Sequence, residues 1–333
     1  QDSTLKDKLL TALKIAISLG LIAYIVTRPA IRQADWAAIL ANLHIWPWLL
    51  ALGLYFVAIG FQVVKWRYLL RTLGVRVPYF SLYRHNLVGL FFANLPLSMI
   101  GGDIARGWDL ARQTEGQTAS IAVSVLVDRL VGLAAYLVAA VLGLAFAVTF
   151  LERPDLGWLL TTMIIALAVY GLAFAALMSQ SLRRLIEKLF GLGPLRKLLP
   201  MYQGLSDSAQ VYRTHGSALV VALGLGLLTV ATTCVVNYLA ALSVGVDVLP
   251  AWVFVLTPLT AFAPFLPSIA SGLGWNQGVF IVLYYDLAGA VPNEASALAM
   301  SLAMQLIILV ASLPGGVLWW QKGRDPSDSD SNA

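Results

Sequence analysis

The sequence predicts an all-α polytopic membrane protein: about six spanning helices plus two re-entrant, broken-helix hairpins related as an inverted repeat. Three observations predict it. First, 59% of the 333 residues are hydrophobic and only 12% are charged, whereas a soluble domain carries about 25% charged residues. Second, the apolar residues fall into runs long enough to cross the hydrocarbon core, which takes about 20 helical residues. Third, two of these runs are broken in the same way. Asn94 to Arg106 reads NLPLSMIGGDIAR, and Phe265 to Gln277 reads FLPSIASGLGWNQ, with Pro96 to Gly101 and Pro267 to Gly272 at one spacing. Proline removes a backbone donor and glycine frees the backbone. Irregular backbone at membrane depth is tolerated only where it is buried in protein or lines a cavity.

Taken in order, Lys6, Lys8 and Lys14 lead into a first apolar run, Leu9 to Thr27, which Arg28-Pro29 ends. Asp35 to Ile45 places Trp36, Ala37, Leu40 and Leu43 at helical spacing and is expected to lie along the interface. Trp46 and Trp48 suit an aromatic belt at the start of the second span, Leu49 to Val64, and the basic run Lys65, Arg67, Arg71 and Arg76 follows. Tyr79 to Ile100 either crosses the membrane or enters and returns as a hairpin. Charge counting favours return. With a cytoplasmic N-terminus, the third span then ends outside at Phe150 and the fourth, Leu156 to Met178, comes back in. The most basic loop, with Arg183, Arg184, Lys188, Arg196, Lys197 and Arg213, is then inside, and the external loops keep only Arg28, Arg32 and Arg153. His215 to Val244 is the fifth span. Pro250 to Asp286 holds the second broken segment, which re-enters from outside. Glu294 to Trp320 is the last span, with Lys322 and Arg324 inside, and Asp325 to Ala333 reads as a disordered Ser/Asp-rich tail.

On this scheme residues 1–324 form one transmembrane domain with both termini cytoplasmic. Its repeat halves, about 47–150 and 215–320, are joined by a basic cytoplasmic segment, 179–214. The stretch Tyr68-Leu69-Leu70 to Pro78 echoes Tyr238-Leu239-Ala240 to Pro250, each leads 17 to 18 residues on to the Pro of its broken segment, and the alignment from Tyr to that Pro needs a one-residue insertion. Two halves of opposite orientation are the architecture of alternating access.

The candidate site residues are polar groups that interrupt apolar sequence. With a helix starting near Gly102, Asp103 falls in its first turn and Arg106 on the same face three residues on. That arrangement is either a structural cap with an ion pair or a cation for a lipid phosphate, held by Asp103. Asp128 and Arg129 are adjacent, about 100° apart on a helix, so each pairs elsewhere; alternatively the span is only Leu130 to Phe150 and the pair sits at the interface. Arg84, His85, Asn86 and Asn94 either bond freed carbonyls beside Pro96 or face the substrate. Ser271, Asn276 and Gln277 either satisfy exposed backbone or line the external half of a substrate path, where Trp275 could stack.

Several classes are excluded. The lone cysteine, Cys234, leaves no disulfide within the chain and no multi-cysteine metal site. His85 has no partner at ligand spacing, so neither a metal nor any other cofactor is expected. The net charge of +5 is spread over loops and signals topology, with no nucleic-acid footprint. No HExxH, Gly-x-Ser-x-Gly or phosphate loop occurs, so enzyme chemistry is not expected. No cleavable signal peptide is visible, and the chain begins at Gln1 without an initiator Met, as a trimmed chain would.

Trp66-Arg67, NLPLSMIGGDIAR, Asp128-Arg129 and FLPSIASGLG together resemble the transmembrane region of lysylphosphatidylglycerol synthases, a flippase-like family, over nearly the whole chain. In the full synthases an aminoacyl-transferase domain follows and the charged lipid is moved across the membrane. The present chain stops at the membrane region, so the resemblance implies translocation without synthesis, in a bacterial inner membrane. Stand-alone members are tied to polyprenyl-linked sugars or hopanoid pathways. The family often carries a Glu after the second glycine motif, where this chain has Asn276-Gln277. The expected partner is therefore a membrane lipid with an anionic or neutral headgroup. The alternative is a non-transporting subunit that supports a lipid-biosynthetic enzyme.

Overall fold

A computed structural model describes residues 27, 43–94, 99–114, 116–177, 179, 210–262 and 274–322. The first apolar run, the interfacial segment before Leu43, the basic segment 180–209, Pro96, Pro267, Ser271 and the tail lie outside the described residues. Among those described, the regular structure is helical throughout. In order these are α1 (Ile45–Thr72), α2 (Tyr79–Ala93), α3 (Met99–Ala111), α4 (Thr118–Phe150), α5 (Gly157–Leu177), α6 (Gly216–Ser243), α7 (Pro250–Thr260), α8 (Trp275–Phe280) and α9 (Glu294–Lys322). A π-helical stretch, Ile281–Leu287, continues α8.

Among the described residues, five helices are long and apolar enough to cross a membrane: Ile45–Thr72, Thr118–Phe150, Pro154–Ala175, Gly216–Ser243 and Glu294–Gln321. The chain is therefore an all-α, multi-pass membrane protein. The third of these shows no buried residue across its most apolar window. A helix apolar all round and packed on one neighbour makes sense only in lipid. α4 is unbroken over 33 residues, about 50 Å at 1.5 Å per residue. Asp128 and Arg129 thus sit within one continuous helix.

α2 and α3 are too short to span. With 15 and 13 residues they reach roughly 20 Å each, against a core of about 30 Å. They run antiparallel. A Cβ on Gly102 would lie 2.5 Å from the Gly89 carbonyl oxygen and 2.8 Å from the Ala93 Cβ, while His85 meets Asp109 at the open end. α3 begins at Met99, three residues before Gly102, which leaves Asp103 beyond the first turn. The glycine is needed for this close approach rather than for starting the helix. α7 packs likewise against α8 and its π-helical continuation.

The chain forms two compact units: Gln1–Val57, Asn86–Ala105 and Ala231–Ala333 in one, Ala58–His85 and Arg106–Val230 in the other. In the second, Leu69, Val123, Val127, Val131, Tyr212 and Ala222 form a core, and the Tyr212 hydroxyl donates to the Leu69 carbonyl at 2.9 Å. In the first, α9 crosses α2 at Gly315, and Phe92 meets Trp319 edge to face at 4.9 Å.

α1 and α6 end alike. After α1, Gly74 takes φ +80°, its N–H bonds the Arg71 carbonyl and that of Val75 bonds Leu70. After α6, Gly245 takes φ +66°, its N–H bonds Leu242 and that of Val246 bonds Ala241. Both are Schellman closures, which need a left-handed residue that glycine adopts freely. The two turns share a backbone conformation, but superposing Gly74 on Gly245 pairs Tyr68 with Leu239, one residue out of step with the echo read in the sequence.

Candidate functional site, a buried ion cluster

α3 is inside-out by the standards of a soluble protein. Ile104 and Trp108 are 62% and 59% exposed, while Arg106 and Asp109 are 2% and 7% exposed. Lipid reverses the usual cost: apolar side chains may face outward, and ionised ones must find partners within the protein. Arg106 Nη2 donates to Asp128 Oδ2 at 2.9 Å. Lys65 Nζ lies 3.1 Å from Asp128 Oδ1, an ion contact without hydrogen-bond geometry, and donates to the Asp128 backbone carbonyl at 3.2 Å. One carboxylate thus holds two cations, all three at least nine-tenths buried.

A frame of weaker contacts fixes these groups. The Arg106 guanidinium lies over the Trp66 ring, 4.6 Å from its centroid, a geometry that favours a cation electrostatically. Trp66 Nε1 donates to Ser124 Oγ at 3.0 Å, and Ser124 in turn donates to the Ile121 carbonyl at 2.7 Å. Ser124 lies four residues before Asp128, so one face of α4 presents both. His85 Nδ1 and Asp109 Oδ2 are 2.6 Å apart, also buried, with Ser81 Oγ 3.4 Å from the other ring nitrogen.

The remaining expected residues are placed differently. Arg129 and Arg84 are exposed, and Asp103 is half-buried. Asn94 Nδ2 donates to the Leu90 carbonyl at 3.0 Å, which caps the end of α2. Trp275 and Asn276 are half-buried, and Asn276 Nδ2 reaches Gln305 at 3.4 Å. Gln277 is buried. Its Oε1 accepts the Gly274 N–H at 2.7 Å, while its Nε2 has no hydrogen-bond partner among the described residues. The backbone donor fixes which end of the amide is oxygen, so the open group is a donor.

The sequence matches the family described as lysylphosphatidylglycerol synthase TM region over residues 11–317. The chain belongs to this family. It is also similar to a UPF0104 membrane protein of Methanothermobacter thermautotrophicus, 24% identical over 268 residues, or 75% of this chain and 78% of that one. No solved structure matches.

In this family member, sequence alone singles out neither Lys65 nor Asp109, nor the partner of His85. Lys65 heads a basic run and looks like a topology charge; its partner is 63 residues away. Asp109 lies in polar sequence, and only the course of α3, which continues to Ala111, brings it to His85. His85 does have a carboxylate partner, but 24 residues on and across a turn. Spacing along one helix shows none of these. The one usable signal is the four-residue step from His85 back to Ser81, on one helix face.

Proposed function

We propose that the protein moves a phosphate-bearing lipid between the leaflets of a bacterial inner membrane, by alternating access, with α2–α3 and α7–α8 as its re-entrant hairpins. The carrying observation is the Lys65–Asp128–Arg106 cluster, buried among apolar helices. Ionised groups at such depth are costly and mark substrate paths. The shared carboxylate makes exchange feasible. Arg106 can turn its planar fork to a phosphate, which it binds bidentately, while Lys65 keeps Asp128 paired. Asp128 therefore never stands as an uncompensated charge, a state that would cost several kcal/mol.

The headgroup is anionic or neutral. Gln277 offers a buried donor, which suits a phosphate or hydroxyl oxygen and repels an ammonium. In this reading the protein makes and breaks no covalent bond.

Purified protein in liposomes tests it. The parent is expected to expose fluorescent phosphatidylglycerol to an external quencher faster than empty liposomes do. Arg106→Ala should abolish the movement while the protein stays folded, and Arg106→Lys should restore only part of it, because a point charge lacks the fork. Movement at the parental rate in Arg106→Ala overturns the assignment; no movement by the parent favours a supporting subunit instead. Topology has its own check. Single cysteines on a Cys234→Ala background should label from inside at Ser206 and from outside at Asp155 and Pro292. External labelling at Ser206 would refute the inverted-repeat scheme.

A further inference from the structure

Arg67, Arg71 and Arg76 line one open groove of ≈ 640 Å³, floored by Val77 and Pro78. The local fold builds it. The Schellman turn at Gly74 reverses the chain after α1, and Arg67 Nε donates to the Val77 carbonyl at 3.3 Å, which pins the return strand against the helix. Three guanidinium groups therefore converge. In the same unit, by contrast, Lys65 and Arg106 are matched on Asp128, and Arg153 is forked on Asp155 at 2.8 and 2.7 Å. Among the described residues no carboxylate pairs with Arg67, Arg71 or Arg76.

The turn itself does not require arginine. Aligning Gly74 on Gly245 puts Tyr238, Leu242 and Asp247 at the places of Arg67, Arg71 and Arg76, and the second turn closes with the same hydrogen bonds. A cation in the last turn of α1 gains a little from the helix dipole, which accounts for Arg71 alone. Three forks around one concavity match the tetrahedral oxygens of a phosphate, and basic pockets at the ends of membrane helices hold anionic headgroups.

We infer that this groove is a binding site for a phosphate group, separate from the buried cluster. The phosphate is either that of an anionic lipid headgroup or a free anion.

The test is a binding titration of the purified full chain in neutral detergent with fluorescent phosphatidylglycerol, and with phosphatidylcholine bearing the same label. Preferential binding of the anionic lipid is expected. The double variant Arg71→Gln, Arg76→Gln should lose that preference. The double variant Arg71→Lys, Arg76→Lys keeps the charge, and with it the topology signal, yet should bind about tenfold more weakly for want of the fork. Displacement by inorganic phosphate assigns the site to a free anion, and failure to displace assigns it to the headgroup. Equal binding by the parent and the Gln variant overturns the site. Full retention in the Lys variant also overturns it and leaves the arginines as a topology signal. A parent that binds here but moves no lipid would refute the proposed function and leave this site standing.

Discussion

Asp128→Asn is expected to destabilise the protein by about 3–5 kcal/mol, the scale for removing one partner of a buried ion pair. The substitution keeps the shape and removes the charge. It leaves Lys65 and Arg106, which flank the carboxylate at 3.1 and 2.9 Å, as two buried cations facing a neutral amide. Lys65→Met should cost far less, because Arg106 and Asp128 still neutralise each other. The double variant Lys65→Met, Asp128→Asn should then be more stable than Asp128→Asn alone, since one of the two orphaned cations is gone. Non-additivity of this sign and of about 0.5–3 kcal/mol is the mark of groups in direct contact. Denaturant unfolding of the four proteins in one detergent measures it. Asp128→Asn within about 1 kcal/mol of the parent would mean that water reaches the cluster and screens it.

The same cluster shows what the sequence can and cannot reveal. Long apolar runs locate α1, α4, α5, α6 and α9, because length and hydropathy are local properties. The 100° step between neighbours on a helix foretells that Asp128 and Arg129 part company; one is buried and the other exposed. Arg106 and Asp128 stand out as charges within apolar sequence. Their pairing is not legible, because it joins α3 to α4 across 22 positions, and the lysine that completes it comes from the far end of α1. Gly102 is ambiguous in sequence for a related reason. A glycine suits a helix start, a turn or a close contact equally well, and only the backbone of Gly89 beside it decides among them.

Gly315→Ala should be the most damaging of three glycine-to-alanine changes in the spanning helices. A Cβ there would lie 2.0 Å from the Leu87 carbonyl oxygen, 2.5 Å from its carbon and 3.0 Å from the Val88 nitrogen. All three are backbone atoms of α2, so no rotamer change can relieve the clash, and α9 must move away from α2 as a whole. Close helix approach through glycine is how membrane helices gain packing when no hydrophobic force drives them together. Overpacking costs typically 1–3 kcal/mol and occasionally more; the higher helix propensity of alanine returns about 1 kcal/mol. A net loss of at least about 2 kcal/mol is expected, since the obstacle is rigid. Gly316→Ala should cost less, because its neighbours at 2.7 to 3.0 Å are ring atoms of Phe91, a side chain that can rotate. Gly53→Ala meets nothing within 4 Å and should be neutral or slightly stabilising. The predicted order of stability is therefore Gly53→Ala, then Gly316→Ala, then Gly315→Ala, read from thermal unfolding in one detergent. Were Gly315→Ala as stable as Gly53→Ala, α9 and α2 could not be packed backbone to backbone, and the anchoring of α2 in its unit would have to be sought elsewhere, first at Gly102.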